Sequence, residues 1–134
     1  MSKGVAGCHI AYVEEEYMLH RVVITGMGAV TPVGNTAPKS WDALKEGRSG
    51  IGKITHFDTS GFKVTVAAEV KNFDSEAFFG RAEARRLDPN VQYALVASDE
   101  AVEDAVLDDQ DALDPERLGV YVGSGVGGIS TYTD

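Results

Sequence analysis

Residues 21–35 read RVVITGMGAVTPVGN, and no other stretch of the chain restricts its fold as tightly. Val22, Val23 and Ile24 form an unbroken β-branched run. Such a run suits a strand buried on both faces, as in a parallel sheet covered by helices. Gly26 and Gly28 follow, where the backbone can turn or approach a neighbour more closely than a side chain allows. Thr31-Pro32 enforces extended geometry before the proline. Gly34-Asn35 supplies a turn, with a helix cap at Asn35 or Thr36. A core strand is thus expected to deliver a small-residue loop to one edge of a sheet, the edge at which open α/β sheets bind ligands.

The remaining elements fit an α/β chain. Thr36 and Pro38 open a helix over Ala37 to Glu46, with Trp41 and Leu44 on one face and Gly47 as its stop. Ser49 to Gly61 reads as a loop, and Val64 to Val70 alternates as a second strand. Asp74 caps a short helix over Ser75 to Gly80. Asp88-Pro89 opens the longest helix. Along it, Val91, Ala94, Leu95, Ser98, Ala101, Val102, Ala105 and Val106 form a stripe predicted to face a core, with Asp99, Glu100, Glu103 and Asp104 on the wet side. Asp108 to Asp114 reads as an acidic loop and Asp114-Pro115-Glu116 as a single turn. Leu118 to Val122 is expected to be a third strand, running into Gly123-Ser124-Gly125-Val126-Gly127-Gly128. Strand, helix, strand, helix, strand is the α/β pattern.

At 134 residues the chain fits one domain. Its net charge of −9 argues against nucleic acid and anionic membranes as partners. No apolar run reaches the length of a membrane span, and the first residues lack the continuous apolar core of a secretory signal. The single cysteine, Cys8, leaves no internal disulfide and fits a reducing cytoplasm.

Five blocks join RVVITGMGAVTPVGN in order: Trp41-Asp42-Ala43-Leu44, GRSGIG at 47–52, HFDTSGF at 56–62, EARRLD at 83–88 and QYAL at 92–95, before GSGVGG at 123–128. Together they resemble the opening of the β-ketoacyl-acyl-carrier-protein synthases, the elongating condensing enzymes of fatty-acid synthesis, and most closely their type II branch. The resemblance runs from about Met18 to Asp134. It implies the N-terminal part of a thiolase-like αβαβα sandwich, incomplete here, over residues 18–134. Residues 1–17 read as a poorly ordered extension. The resemblance further implies a decarboxylative Claisen condensation between an acyl-enzyme and a malonyl-carrier protein. It implies no cofactor, acyl carrier protein as partner, and a homodimer in the full-length relatives.

No residue of this chain is assigned a catalytic role. The family's cysteine nucleophile and its two histidines match positions beyond Asp134. Cys8 lies in the unmatched extension without a helix cap or basic partner to lower its pKa, and is rejected as a nucleophile. His9, His20 and His56 have no metal-ligand spacing, so no metal site is expected, and His56 is read as structural. Ser124, Ser130 and Thr131 have no nucleophile elbow. Arg81, Arg85 and Arg86 are three of the four basic residues after position 72. A local cationic cluster on an acidic body suits an acidic protein partner. Arg85 and Arg86 match the segment through which the synthases dock carrier protein, whereas Ala82 stands where the family often has another basic residue. The competing reading pairs the arginines with Glu83 or Asp88. Val126, in the glycine-rich turn, matches a position near the family's acyl pocket; a turn that only packs is the alternative. Gly123 to Gly128 also satisfies GxGxxG, so a nucleotide-binding α/β module is a second functional reading. A non-catalytic carrier-protein-binding protein is a third.

Overall fold

The computed structural model describes residues 21–107 and 114–128. It is α/β, with few elements: α1 (Ala37–Lys45), β1 (Ile51–Lys53), β2 (Val66–Ala68), α2 (Ser75–Ala84), α3 (Pro89–Asp104) and a 3-10 turn (Pro115–Arg117). The expectations for residues 1–17, Cys8, His9, His20, the acidic loop over 108–113, Ser130 and Thr131 lie outside the described residues.

The helix boundaries follow local chemistry. The Thr36 hydroxyl accepts from the Lys39 amide at 3.3 Å and caps α1, so Thr36, not Asn35, is the cap. Asn35 instead donates from Nδ2 to the carbonyls of Lys71 and Asn72, both at 3.0 Å, tying this loop to the exit of β2. Asp74, Asp88 and Asp114 cap α2, α3 and the 3-10 turn. Gly47 ends α1 with φ +69°, and the N–H groups of Gly47 and Arg48 donate to Leu44 and Ala43. Such a left-handed stop leaves no clash with a side chain. α2 runs past its expected end at Gly80. That residue takes φ +71° and kinks the helix, and another turn then reaches Ala84.

The strands depart from the sequence reading. β1 falls inside the segment read as a loop. It pairs antiparallel with β2, matching Ile51 to Ala68 and Lys53 to Val66. The runs Val22–Ile24, read as a core strand, and Leu118–Val122, read as a third strand, belong to no ladder among the described residues, and their side chains are exposed (Val22 88%, Ile24 81%, Tyr121 97%). β-branched composition favours a pleated surface but supplies no partner for the backbone, and among the described residues no neighbouring strand lies alongside either run.

α3 also presents a different face. Val91, Leu95, Val102 and Val106 are exposed rather than buried. What packs against the helix is the backbone of Gly26–Gly28, which crosses its Ala97-Ala101-Ala105 row. A Cβ on Gly26 would come within 2.5 Å of the Ala105 nitrogen, and one on Gly28 would overlap the Ala97 carbonyl. Glu100, expected in solvent, is half-buried and structural, while Asp104 stays exposed as expected and still takes a backbone amide. Glu100 accepts from Ala29 N (2.8 Å) and Ala37 N (2.8 Å), and Asp104 accepts from Met27 N (2.9 Å). The crossing segment has amides that no strand satisfies, and the carboxylates beneath it take them. Above this seam, the buried Ser40 hydroxyl lies 2.9 Å from Thr31 Oγ1 and donates to the Gly34 carbonyl. Among the described residues the buried apolar side chains are Ala43 and Val96.

Candidate functional site

The arginine cluster sits where α2 turns into α3. Arg85 caps α2 in a right-handed conformation, and the N–H groups of Arg86 and Leu87 both donate to the Glu83 carbonyl (2.9 and 3.1 Å). Asp88 then starts α3, its carboxylate accepting from the Asn90 amide. Gln92, one turn further along α3, is 7% exposed. Its Nε2 donates to the Ala84 carbonyl and to the Leu87 carbonyl, each at 2.8 Å. Both N–H bonds of one buried amide thus hold the two carbonyls that flank Arg85 and Arg86. An aromatic contact fastens the same corner: Phe73 meets Tyr93 edge-on at 5.0 Å and stacks on Phe78 at 5.6 Å.

Arg81, Arg85 and Arg86 are exposed. Among the described residues no ion pair engages any of them, whereas Lys45 and Arg48 pair with Asp42 and Glu46 at 2.9 and 2.8 Å. The turn presents its guanidinium groups outward, where they are available for charge-assisted hydrogen bonds to a carboxylate-bearing surface.

Val126 lies in an open depression of about 540 Å³, with His56, Val70, Pro89, Tyr93 and Gly128 among its walls. Its side chain is 76% exposed. Partial burial here pushes the Tyr93 phenol above its ordinary pKa. The glycine turn rests on the start of α3. A Cβ on Gly127 would run into the Asn90 side chain, and one on Gly128, where φ is +73°, would stand 3.6 Å from the Asp88 carboxylate. An anion brought here would meet the carboxylate that already caps α3, which opposes the phosphate-loop reading.

His56 behaves as part of a loop fastening. Its Nε2 lies 3.8 Å from Glu69 Oε1. The Glu69 carboxylate accepts from the Thr55 amide and hydroxyl (3.0 and 2.8 Å) and from the His56 amide at 3.4 Å. These bonds, the Thr55 amide first, hold Glu69 below the ordinary glutamate pKa. Among the described residues no group of three His, Cys, Asp or Glu side chains is arranged to hold a metal ion. Nor is any helix there long and apolar enough to cross a membrane.

Sequence reasoning singled out the arginines but not Gln92, whose amide braces their turn. A signal was present: Asp88, Gln92 and Val96 stand four apart, so a polar residue occupies the same helix row as a cap and a core valine.

Comparison with known proteins bears on most of the chain. The family described as beta-ketoacyl synthase, N-terminal domain, matches residues 19–134. The 3-oxoacyl-[acyl-carrier-protein] synthase 2 of Staphylococcus aureus (strain N315) is 49% identical over 112 residues, covering 84% of this chain and 27% of that protein. The protein of the same name from Synechocystis sp. is 45% identical over 114 residues, covering 85% of this chain and 27% of the relative. Among solved structures, the ishigamide ketosynthase/chain length factor superposes with a TM-score of 0.59 at 35% identity, over 66% of this chain and 22% of that one. The chain spans 27% of the length of the curated relatives it matches.

Proposed function

The chain belongs to the β-ketoacyl synthase family, with residues 19–134 in its N-terminal domain, and from that premise we propose that it contributes the N-terminal part of a 3-oxoacyl-acyl-carrier-protein synthase of type II. The observation that carries the proposal is the 49% identity to a 3-oxoacyl-[acyl-carrier-protein] synthase 2 across 84% of the chain. In this reading residues 18–134 are the first portion of a thiolase-like αβαβα sandwich, and residues 1–17 precede it. The whole enzyme takes an acyl group from a carrier-protein thioester onto a cysteine thiolate. Loss of CO₂ from a malonyl-carrier thioester leaves a carbanion. That carbanion attacks the acyl-enzyme carbonyl, forming the new carbon–carbon bond and expelling the cysteine thiolate. The enzyme works in the cytoplasm as a homodimer.

Within this scheme Arg85 and Arg86 dock the carrier protein, and Val126 lines the acyl pocket. The exposed arginine turn, with no ion pair among the described residues, supports the first assignment, and the place of Val126 in an open depression beside Val70 and Tyr93 supports the second. The nucleotide-binding reading has no comparable support, since Asp88 already caps the helix beside the glycine turn.

A malonyl-dependent elongation assay with acyl carrier protein tests the catalytic half of the proposal. The 134-residue chain alone is expected to give no turnover. Turnover that disappears in Cys8→Ser would overturn the exclusion of that cysteine. Carrier binding to wild type and to the Arg85→Glu/Arg86→Glu variant tests the docking half. Binding should fall on charge reversal and with rising salt, and equal binding by both proteins would remove the arginines from the interface.

A further inference from the structure

Gln92 links the core of the molecule to the arginine turn. A glutamine at 7% exposure must satisfy its amide inside the protein, and this one spends both donors on the carbonyls of Ala84 and Leu87. These carbonyls bracket Arg85 and Arg86. The first belongs to the last residue of α2 and the second immediately precedes the Asp88 cap of α3. The Glu83 carbonyl also takes the amides of Arg86 and Leu87. The backbone of the turn is therefore held by four hydrogen bonds before any partner arrives. The arginine side chains themselves remain exposed, with no ion pair among the described residues to hold them back.

We propose that Gln92 is a positioning residue for docking: its buried amide holds the Ala84–Leu87 turn in one conformation, so that Arg85 and Arg86 reach an acidic helix of a partner protein as a pre-set pair. The inference rests on the docking role assigned to the arginines above. It adds that affinity depends on a side chain that never touches the partner. An unfastened turn would have to be ordered at the moment of binding, and that ordering subtracts from affinity. Charge alone would still draw the partner in, because long-range attraction does not need a fixed turn.

The test compares carrier-protein binding by four forms of the 134-residue chain: wild type, Gln92→Met, Arg85→Glu/Arg86→Glu, and the triple variant. Methionine matches glutamine in length and removes the donors while leaving every charge in place. Gln92→Met should weaken carrier binding about two- to tenfold, the range set by ordering one mobile side chain. Its dependence on salt should stay that of wild type. In the charge-reversed background the same substitution should have no further effect. A substitution that merely loosens the fold would act equally in both backgrounds.

The outcomes separate the two claims. If the charge-reversed pair binds like wild type, the docking role itself fails. If charge reversal weakens binding while Gln92→Met binds like wild type, docking stands and the positioning role is overturned. Backbone relaxation of the wild-type chain supplies a reading that needs no variant. Residues 85–87 should show order parameters near the rigid-backbone value of about 0.85 before carrier is added, and values below about 0.6 would contradict a pre-set turn.

Discussion

Two stretches only two residues apart meet opposite fates. Val22–Ile24 stands exposed and outside any ladder, while Met27–Ala29 lies across α3 with its amides taken by Asp104 and Glu100. By composition the first is the better structure-former, three β-branched residues against a glycine-rich turn. What separates them is the partner. The glycine segment finds a helix with a small-residue row to lie on and carboxylates to accept from it, both supplied by this chain. The β-branched run needs a neighbouring strand, and the described residues offer none. Leu118–Val122 repeats the lesson at the other end of the described chain. A segment is held here where the chain brings its own hydrogen-bond partner, whatever the local propensity.

The largest effect expected from this contrast comes from Gly28→Val. Its side chain would enter the α3 backbone at Ala97, a contact no rotamer relieves. The seam should lose about 3 kcal/mol by overpacking, read as a lower denaturant midpoint. Val23→Thr, in the open run, should shift stability by less than about 0.5 kcal/mol. A similar loss in both variants would mean that the run is packed after all.

Glu100→Ala comes next. It strips acceptors from Ala29 and Ala37 at once, at a cost of about 1–3 kcal/mol. The loss should appear together with faster exchange of those two amides. An unchanged melt would show that water satisfies them equally well.

A smaller effect sharpens the account of how the seam's helices end. α1 and α3 close with the same pair of hydrogen bonds, but Gly47 fills the left-handed position in one and Val106, at φ +55°, in the other. Val106→Gly should therefore stabilise the chain by about 1 kcal/mol, removing a conformation that costs a β-branched residue dearly. Destabilisation would mean that the exposed valine has a packing role.

The smallest effect concerns the β1–β2 loop and depends on pH. Glu69 has a lowered pKa in the folded chain. Its contribution is thus fully present above the unfolded glutamate value and fades as pH falls through the lower folded one. The Thr55 and His56 amides should lose protection in that acid window, and Glu69→Gln should abolish the pH dependence. Protection that instead weakens as pH rises would give the carboxylate the wrong sign.

Legibility in the sequence followed the range of the interactions. The caps Thr36, Asp74, Asp88 and Asp114 and the Gly47 stop were all readable, because each acts within a few residues of itself. The hairpin partner β1 reads as a loop, since three residues carry little pattern and their register is fixed by β2, thirteen residues on from Lys53. Glu100 has the pattern of a wet face because a carboxylate that takes the amides of a distant segment has the same local signature as one in water. The apolar stripe on α3 was recognised, but which face is covered depends on what crosses the helix, and Gly26–Gly28 crosses at the alanines. At the candidate site, the arginines stood out against an acidic chain, while the role of Gln92 depends on a turn that closes only in three dimensions.

Amide hydrogen exchange, followed residue by residue on the 134-residue chain, tests the central contrast most directly. Met27, Ala29 and Ala37 should be protected, and Val23, Ile24, Val120 and Val122 should exchange at the rates of an unfolded chain. Equal protection of the β-branched runs and the glycine seam would mean that both runs are paired within this chain, and the distinction between a seam that supplies its own partners and strands that lack them would be wrong.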